Sequence, residues 1–326
     1  VNSNVTVGAG GRGGGLIGAG SLGATGGTST VSILSNMIDR HVTVSGPEHL
    51  GGFVGSLTGG SAAAVLTGTF DSNVSDANVT GADTAGVCGG IIGELSPGDQ
   101  SYWTISNSEA AGEISCAGPN SGGLIGLLTT SDAALDVGKV TISDSLSGGI
   151  GNISGTKFVG GLIGYAALYR GFDLDILDSH SDGDVNATAE LGVGGIAGII
   201  TMSGGAGVGL SRLSISDSYA TGSIYGAATG VITLAGGGAG GIMGGLGTSS
   251  ANQGVSISRV YATGNVESGG ALTGGLIGVY VATSAAAGPL LDINNSYASG
   301  STLKVAAGSG NLGGLIGTFS ATNVNN

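Results

Sequence analysis

The chain has 326 residues, of which 72 are glycine and only four proline, and glycine follows no three-residue period; 40% of residues are hydrophobic and 9% charged. Disordered chains show the reverse balance, so the glycine is placed rather than scattered. Eight Lys and Arg against 21 Asp and Glu leave a net charge of −13. That balance argues against binding to nucleic acid, which rests on clustered basic residues.

Apolar runs are broken by Gly, Ser or Thr well short of the about 18 residues a membrane helix needs, so no membrane insertion is expected. The chain opens VNSNVTV, without an initiator Met or a signal sequence, and reads as a mature or trimmed product. Cys88 and Cys116 are too few for a disulfide scaffold. They fall at different positions of the repeat described next, which leaves a bridge between them open.

In chain order, one five-residue cassette recurs nine times. It reads GGLIG at 14–18, GGFVG at 51–55, GGIIG at 89–93, GGLIG at 122–126 and GGLIG at 160–164. It continues as GGIAG at 194–198, GGIMG at 240–244, GGLIG at 274–278 and GGLIG at 313–317. Successive second glycines are 37, 38, 33, 38, 34, 46, 34 and 39 residues apart, the longest interval carrying an insertion around Ala227–Gly238. A period in this range marks a repeat architecture. Between cassettes runs a second phrase: WTISNSEAAGEISCAG at 103–118, VTISDSLSGGIGNISG at 140–155, LSISDSYATGSIYGAA at 213–228 and VSISRVYATGNVESGG at 255–270. Looser copies start at Val31, Gly68, Leu174 and Leu291.

Apolar residues two apart within the phrase, such as Val140 and Ile142, Leu213 and Ile215, Val255 and Ile257, predict one face of a β-strand. Gly, Asn, Asp and Ser bound every run, as turns require. Asp132–Leu135 could form a single helical turn, but no long segment has a 3.6-residue period. Fixed columns with elastic connections favour a solenoid over a propeller. The expected fold is all-β: a single parallel β-solenoid over residues 1–326, of about nine repeats of about 37 residues with partial repeats at both ends. Right-handed crossovers are expected.

In such a stack the third cassette position forms one column, Leu16 to Leu315, and the fourth another, Ile17 to Ile316. Neighbouring strand residues point to opposite faces, which predicts that one of the two apolar columns lies outside unless something covers it. Asn4–Val7 aligns with His41–Val44.

The cassette following an I-x-x-S…G-x-[IV] phrase resembles the GLUG motif of repeat regions in large bacterial surface and secreted proteins, among them adhesins. The resemblance spans essentially the whole chain. It implies an extracellular scaffold and supplies no catalytic residue, metal ligand or cofactor; GGIAG at 194–198 departs from it by weakening the fourth column.

Candidate chemistry is sparse. Asp144, Asp178 and Asp217 share one repeat position and could line up for a cation. Asn107 and Asn295 at the same position favour a turn-forming role instead. The stretch FDLDILDSHSDGD at 172–184 lacks the spacing of a calcium loop. Tyr219, Tyr261 and Tyr297 form a column that could stack sugars or cover apolar surface, and Tyr102 and Trp103 are placed at another corner. His41, His49 and His180 are far apart in the repeat frame, and GAGGRGGG at 8–15 lacks the Lys-Ser/Thr ending of a phosphate loop. Asn4, Asn73, Asn78, Asn152, Asn186 and Asn294 head N-x-S/T sequons.

These residues point to no catalytic site, no metal and no cofactor. A polysaccharide-cleaving β-helix would need acidic and basic groups clustered across coils, and eight basic residues are spread over nine repeats. Ice binding would need threonine columns, which the sequence does not show. The expected function is an extracellular, self-assembling filament or surface-fibre subunit, partnered by its own copies head-to-tail or laterally. Open strand edges in a chain that starts and stops inside a repeat, and the uncovered apolar column, motivate that expectation. The alternative is the stalk or binding region of a larger cell-surface adhesin, meeting cell-surface glycans or a host surface.

Overall fold

Each repeat spends its alternating segments on five short strands that pair only with the same strands of the coils above and below. The computed structural model describes residues 3–22, 27–60, 64–130, 137–149, 151–189, 192–204, 211–227, 237–249, 253–269, 272–283, 290–300, 302–305 and 310–321. Asp132–Leu135 and most of the insertion at 227–238 lie outside the described residues.

One coil shows the plan. Strands Ile153–Gly155, Phe158–Gly160, Ile163–Tyr169, Phe172–Leu177 and His180–Ser181 belong to sheets I to V in turn. Among the described residues all pairings are parallel, with nine strands in sheets I, II and III and eight in IV and V. This is the expected parallel β-solenoid, and the described residues contain no helix. All eight copies of the second phrase fall in one register on sheet IV, from Val31 through Val140 and Leu174 to Leu291.

The cassette departs from its expected role. Sheet II ends at its first glycine and sheet III begins at its fourth residue, so the cassette straddles a corner. Strict in–out alternation stops there, and both columns turn inward. Leu162 and Ile163 are each 0% exposed, as are their counterparts Leu124 and Ile125. The expected outer apolar stripe is absent from the inner coils; only the end members Leu16 and Leu315 are exposed. The corner backbone is satisfied by stacking: the Ile196 carbonyl accepts from the N–H of both Leu162 and Ile163 at 2.8 and 2.9 Å.

All three cassette glycines are required by close approach. A Cβ at Gly160 would strike the Ile163 carbonyl, one at Gly161 the Gly195 carbonyl and Ser181 across the core, and one at Gly164 the Gly126 carbonyl at 2.5 Å. The corner therefore packs directly on sheet V, whose inward residues are small in the inner coils, among them Ser147, Ser181, Ala220 and Ala262.

Two further placements differ from expectation. Val5 pairs with Val44 and Thr6 with Ser45, two residues off the alignment of Asn4–Val7 with His41–Val44. A slip of two keeps every side chain on its own face, so alternation could not choose between the registers. Tyr102 and Trp103 lie within the sheet IV strand Ser101–Ser106 rather than at a corner; Trp103 is buried and Tyr102 exposed.

Candidate functional site

Most residues flagged for chemistry lie on the outer surface; Trp103 and Asn73 are buried instead. Sheets IV and V meet at a one-residue left-handed turn. Ser35, Ser72, Asn107, Asp144, Asp178, Asp217, Arg259 and Asn295 all have φ between 46° and 56° there. Asn and Asp tolerate this conformation better than other non-glycine residues, which explains the aspartate column as a turn requirement. Asp217 is also gripped by Nε and Nη2 of Arg259 one coil on, which holds its carboxyl below the ordinary range. Among the described residues no group of three or more His, Cys, Asp or Glu is placed to hold a metal.

The residue after each turn builds a ladder that sequence reasoning missed. Ser108, Ser145, Ser179 and Ser218 are buried, and each Oγ donates to the carbonyl two residues earlier at 2.7–2.8 Å. Each also accepts a backbone N–H from the coil before: Asn73 to Ser108, Ser108 to Ser145, Ser145 to Ser179 and Ser179 to Ser218. The serine three residues after the isoleucine of the I-x-x-S copies was the available signal.

The acidic stretch at 172–184 is spread around the coil. Asp173 and Asp175 point outward from sheet IV, Asp178 makes the turn, and Asp182 and Asp184 sit at the corner between sheets V and I. Lys139 pairs with Asp175, the Asp182 carboxylate accepts from Thr221 Oγ1 at 2.7 Å, and Asp184 accepts the Ser223 N–H at 2.8 Å. Burial raises the carboxyl pKa of Asp173, opposed by the Arg212 N–H it accepts. A groove of about 360 Å³ beside Arg212, Ser214 and Gly254 opens at this face.

The tyrosine column is real and longer than expected. His180, Tyr219, Tyr261 and Tyr297 stack with ring centroids 4.5, 4.8 and 5.4 Å apart and planes within 10° of parallel. Each inner ring face is covered by the next ring, so edges and hydroxyls are what face outward. Tyr297, half exposed, ends the stack among the described residues.

His49 faces Arg12 Nε at 3.2 Å and a Glu94 carboxylate oxygen at 3.1 Å, while His41 lies exposed at the corner between sheets V and I, so the three histidines do not converge. Gly13 and Gly14 of the glycine-rich start form an ordinary sheet II strand. The absence of threonine columns needs correction: Thr69, Thr104 and Thr141 stack in register on sheet IV, until Asp175 follows them. The phrase copies starting at Gly68, Trp103 and Val140 already place these three threonines at one position.

Cys88 and Cys116 form a disulfide between consecutive coils, with Cα atoms 6.0 Å apart. Gly81 leaves it room, since a Cβ there would lie 2.5 and 2.8 Å from the two sulfurs. At the corner between sheets V and I a groove of about 550 Å³ is lined by Arg40, Asp76, Asn78, Glu113 and Gly149, among others.

Five stacked parallel sheets with a one-residue turn column define a β-solenoid repeat protein. Halomucin of Haloquadratum walsbyi is 30% identical to it over 194 residues, which are 59% of this chain and 2% of that protein. The chain thus spans a small part of the relative it matches. No family model matches it, and no solved structure does; the GLUG resemblance rests on the cassette and phrase residues.

Proposed function

We propose that the chain is an extracellular structural protein, a stiff GLUG-like repeat scaffold rather than an enzyme. One observation carries this reading: the recurring residues of the repeat are used up in stacking coil on coil. The cassette fills a corner, the aspartate column makes turns and the serines satisfy buried backbone. The buried disulfide supports an oxidising compartment outside the cytosol. The likeness to a stretch that is 2% of Halomucin supports a repeat used within very long chains, as in the stalk of a surface protein.

Filament formation is the second reading. Both ends of each sheet present a strand with one unpaired edge among the described residues, and such edges template further strands. The burial of both cassette columns removes the other motive for it. Electron microscopy of native material tests the choice. Single rods within longer molecules fit the stalk reading, and fibres built from this chain alone overturn it in favour of the filament. Cleavage of acidic polysaccharides by the purified chain would overturn the structural role itself.

A further inference from the structure

The six sequons are not equivalent in the fold. Sheet I strands alternate one inward apolar residue with two outward neighbours, so an N-x-T triplet there presents Asn and Thr to solvent and buries the residue between. Val5, Val44, Val79, Ile114 and Ile153 form the inward column. Directly before it stand Asn4, Thr43, Asn78, Glu113 and Asn152. Three complete sequons, at Asn4, Asn78 and Asn152, therefore recur on the first, third and fifth rungs of one face. Their spacing is about 9.6 Å, two rungs of about 4.8 Å each.

Asn4, Asn78 and Asn152 are exposed. Oδ1 of Asn4 accepts the Thr43 N–H at 2.8 Å, and Oδ1 of Asn78 accepts the Glu113 N–H at 3.0 Å. The amide is thereby anchored by its oxygen, with Nδ2 making no hydrogen bond to the described residues. Asn73 is the opposite case: 0% exposed, with Nδ2 donating to the Ile33 carbonyl at 2.8 Å. A second observation marks the same face. The groove of about 550 Å³ begins at Asn78, passes Glu113 and reaches Gly151, the residue before Asn152. Side chains that accept or donate hydrogen bonds (Arg40, Asp76, Glu113) border it, and glycines leave it open.

We propose that this face of sheet I is a glycosylated face, with N-linked glycans at Asn4, Asn78 and Asn152 and the first sugars at Asn78 lodged in that groove. The inference rests on the extracellular reading above. In the transfer, the Asn Nδ2 bonds to the anomeric carbon of a phosphate-activated oligosaccharide. The anomeric C–O bond breaks, its electron pair leaves with the phosphate, and one amide proton passes to a base of the transferase. The glycan is bulky and solubilising, and a row of them shields one side of the rod.

Glycopeptide mapping of the folded protein recovered from its source cells tests this. The expected result is occupancy at Asn4, Asn78 and Asn152 and none at Asn73. In a secretory host that glycosylates N-x-S/T, the chain behind an added leader should lose the Asn78 glycan completely on Thr80→Val and keep it on Thr80→Ser. Thr80 is exposed, so neither change should prevent folding. Native protein found outside the cell or on its surface with bare Asn78 and Asn152 overturns the glycan face alone. Bare protein found inside the cell overturns both the face and the extracellular reading, and a glycan on Asn73 of the folded chain also contradicts the assignment.

Discussion

The room around a single Cα decides what a coil tolerates. Gly161 has backbone and Ser181 where its Cβ would stand, whereas a Cβ at Gly254 would meet nothing closer than Arg212 Cγ at 3.9 Å. Gly161→Ala should therefore cost about 1–3 kcal/mol through overpacking. Gly254→Ala should be neutral or stabilise by up to about 1 kcal/mol by restricting the unfolded chain. Urea unfolding of the two variants checks the contrast. Burial makes a second contrast. Leu162→Asp places a charge in a column that is 0% exposed and should cost more than about 3 kcal/mol. Asp182→Ala, at an exposed corner, should cost under about 1 kcal/mol; equal melting shifts would refute the column assignment. Asp71 supplies a pH test. Hydrogen bonds from Asn107, Ser106 and Ser72 hold its carboxyl below the ordinary 3.8. A lowered carboxyl contributes stability that is present above the unfolded value and lost as pH falls through the folded one. Acid titration of Asp71→Asn should show a shallower loss of stability below about pH 4 than the parent chain. The recurrence of these residues was legible in the sequence. Their causes were not, because Gly161 and Ser181 meet only once the coil has closed.

Period-2 alternation located the strands well wherever the strand is straight. It placed all eight copies of the second phrase on sheet IV, and the apolar residues of that phrase are buried in the six inner copies, as at Val140 and Ile142, and only partly buried at Val31, Leu291 and Ile293 in the two outer ones. It failed at the cassette, where a corner turns two consecutive residues inward, and at Val5, where a two-residue slip changes no side chain's face. It also could not show the serine ladder, which depends on contacts between coils. That ladder can be tested at Ser145, whose Oγ accepts the Ser108 N–H at 3.2 Å. Ser145→Ala would leave this buried donor without its acceptor and should cost about 1–3 kcal/mol, measured by chemical unfolding. A change near zero would mean that the ladder fills space without satisfying the backbone.

At the scale of the molecule, stability is a sum of coils and the contacts between neighbours, and the elongated shape follows from stacking identical cross-sections. One cassette-to-cassette interval is one self-contained rung. Inserting three further copies of residues 161–194 directly after Gly194, so that each junction restores a cassette, tests that rung on its own. Small-angle X-ray scattering of the parent and the extended chain should then show a rod longer by about 14 Å, three rungs of about 4.8 Å, with an unchanged cross-sectional radius. Growth in all dimensions, or an extended chain no longer than the parent, would contradict it.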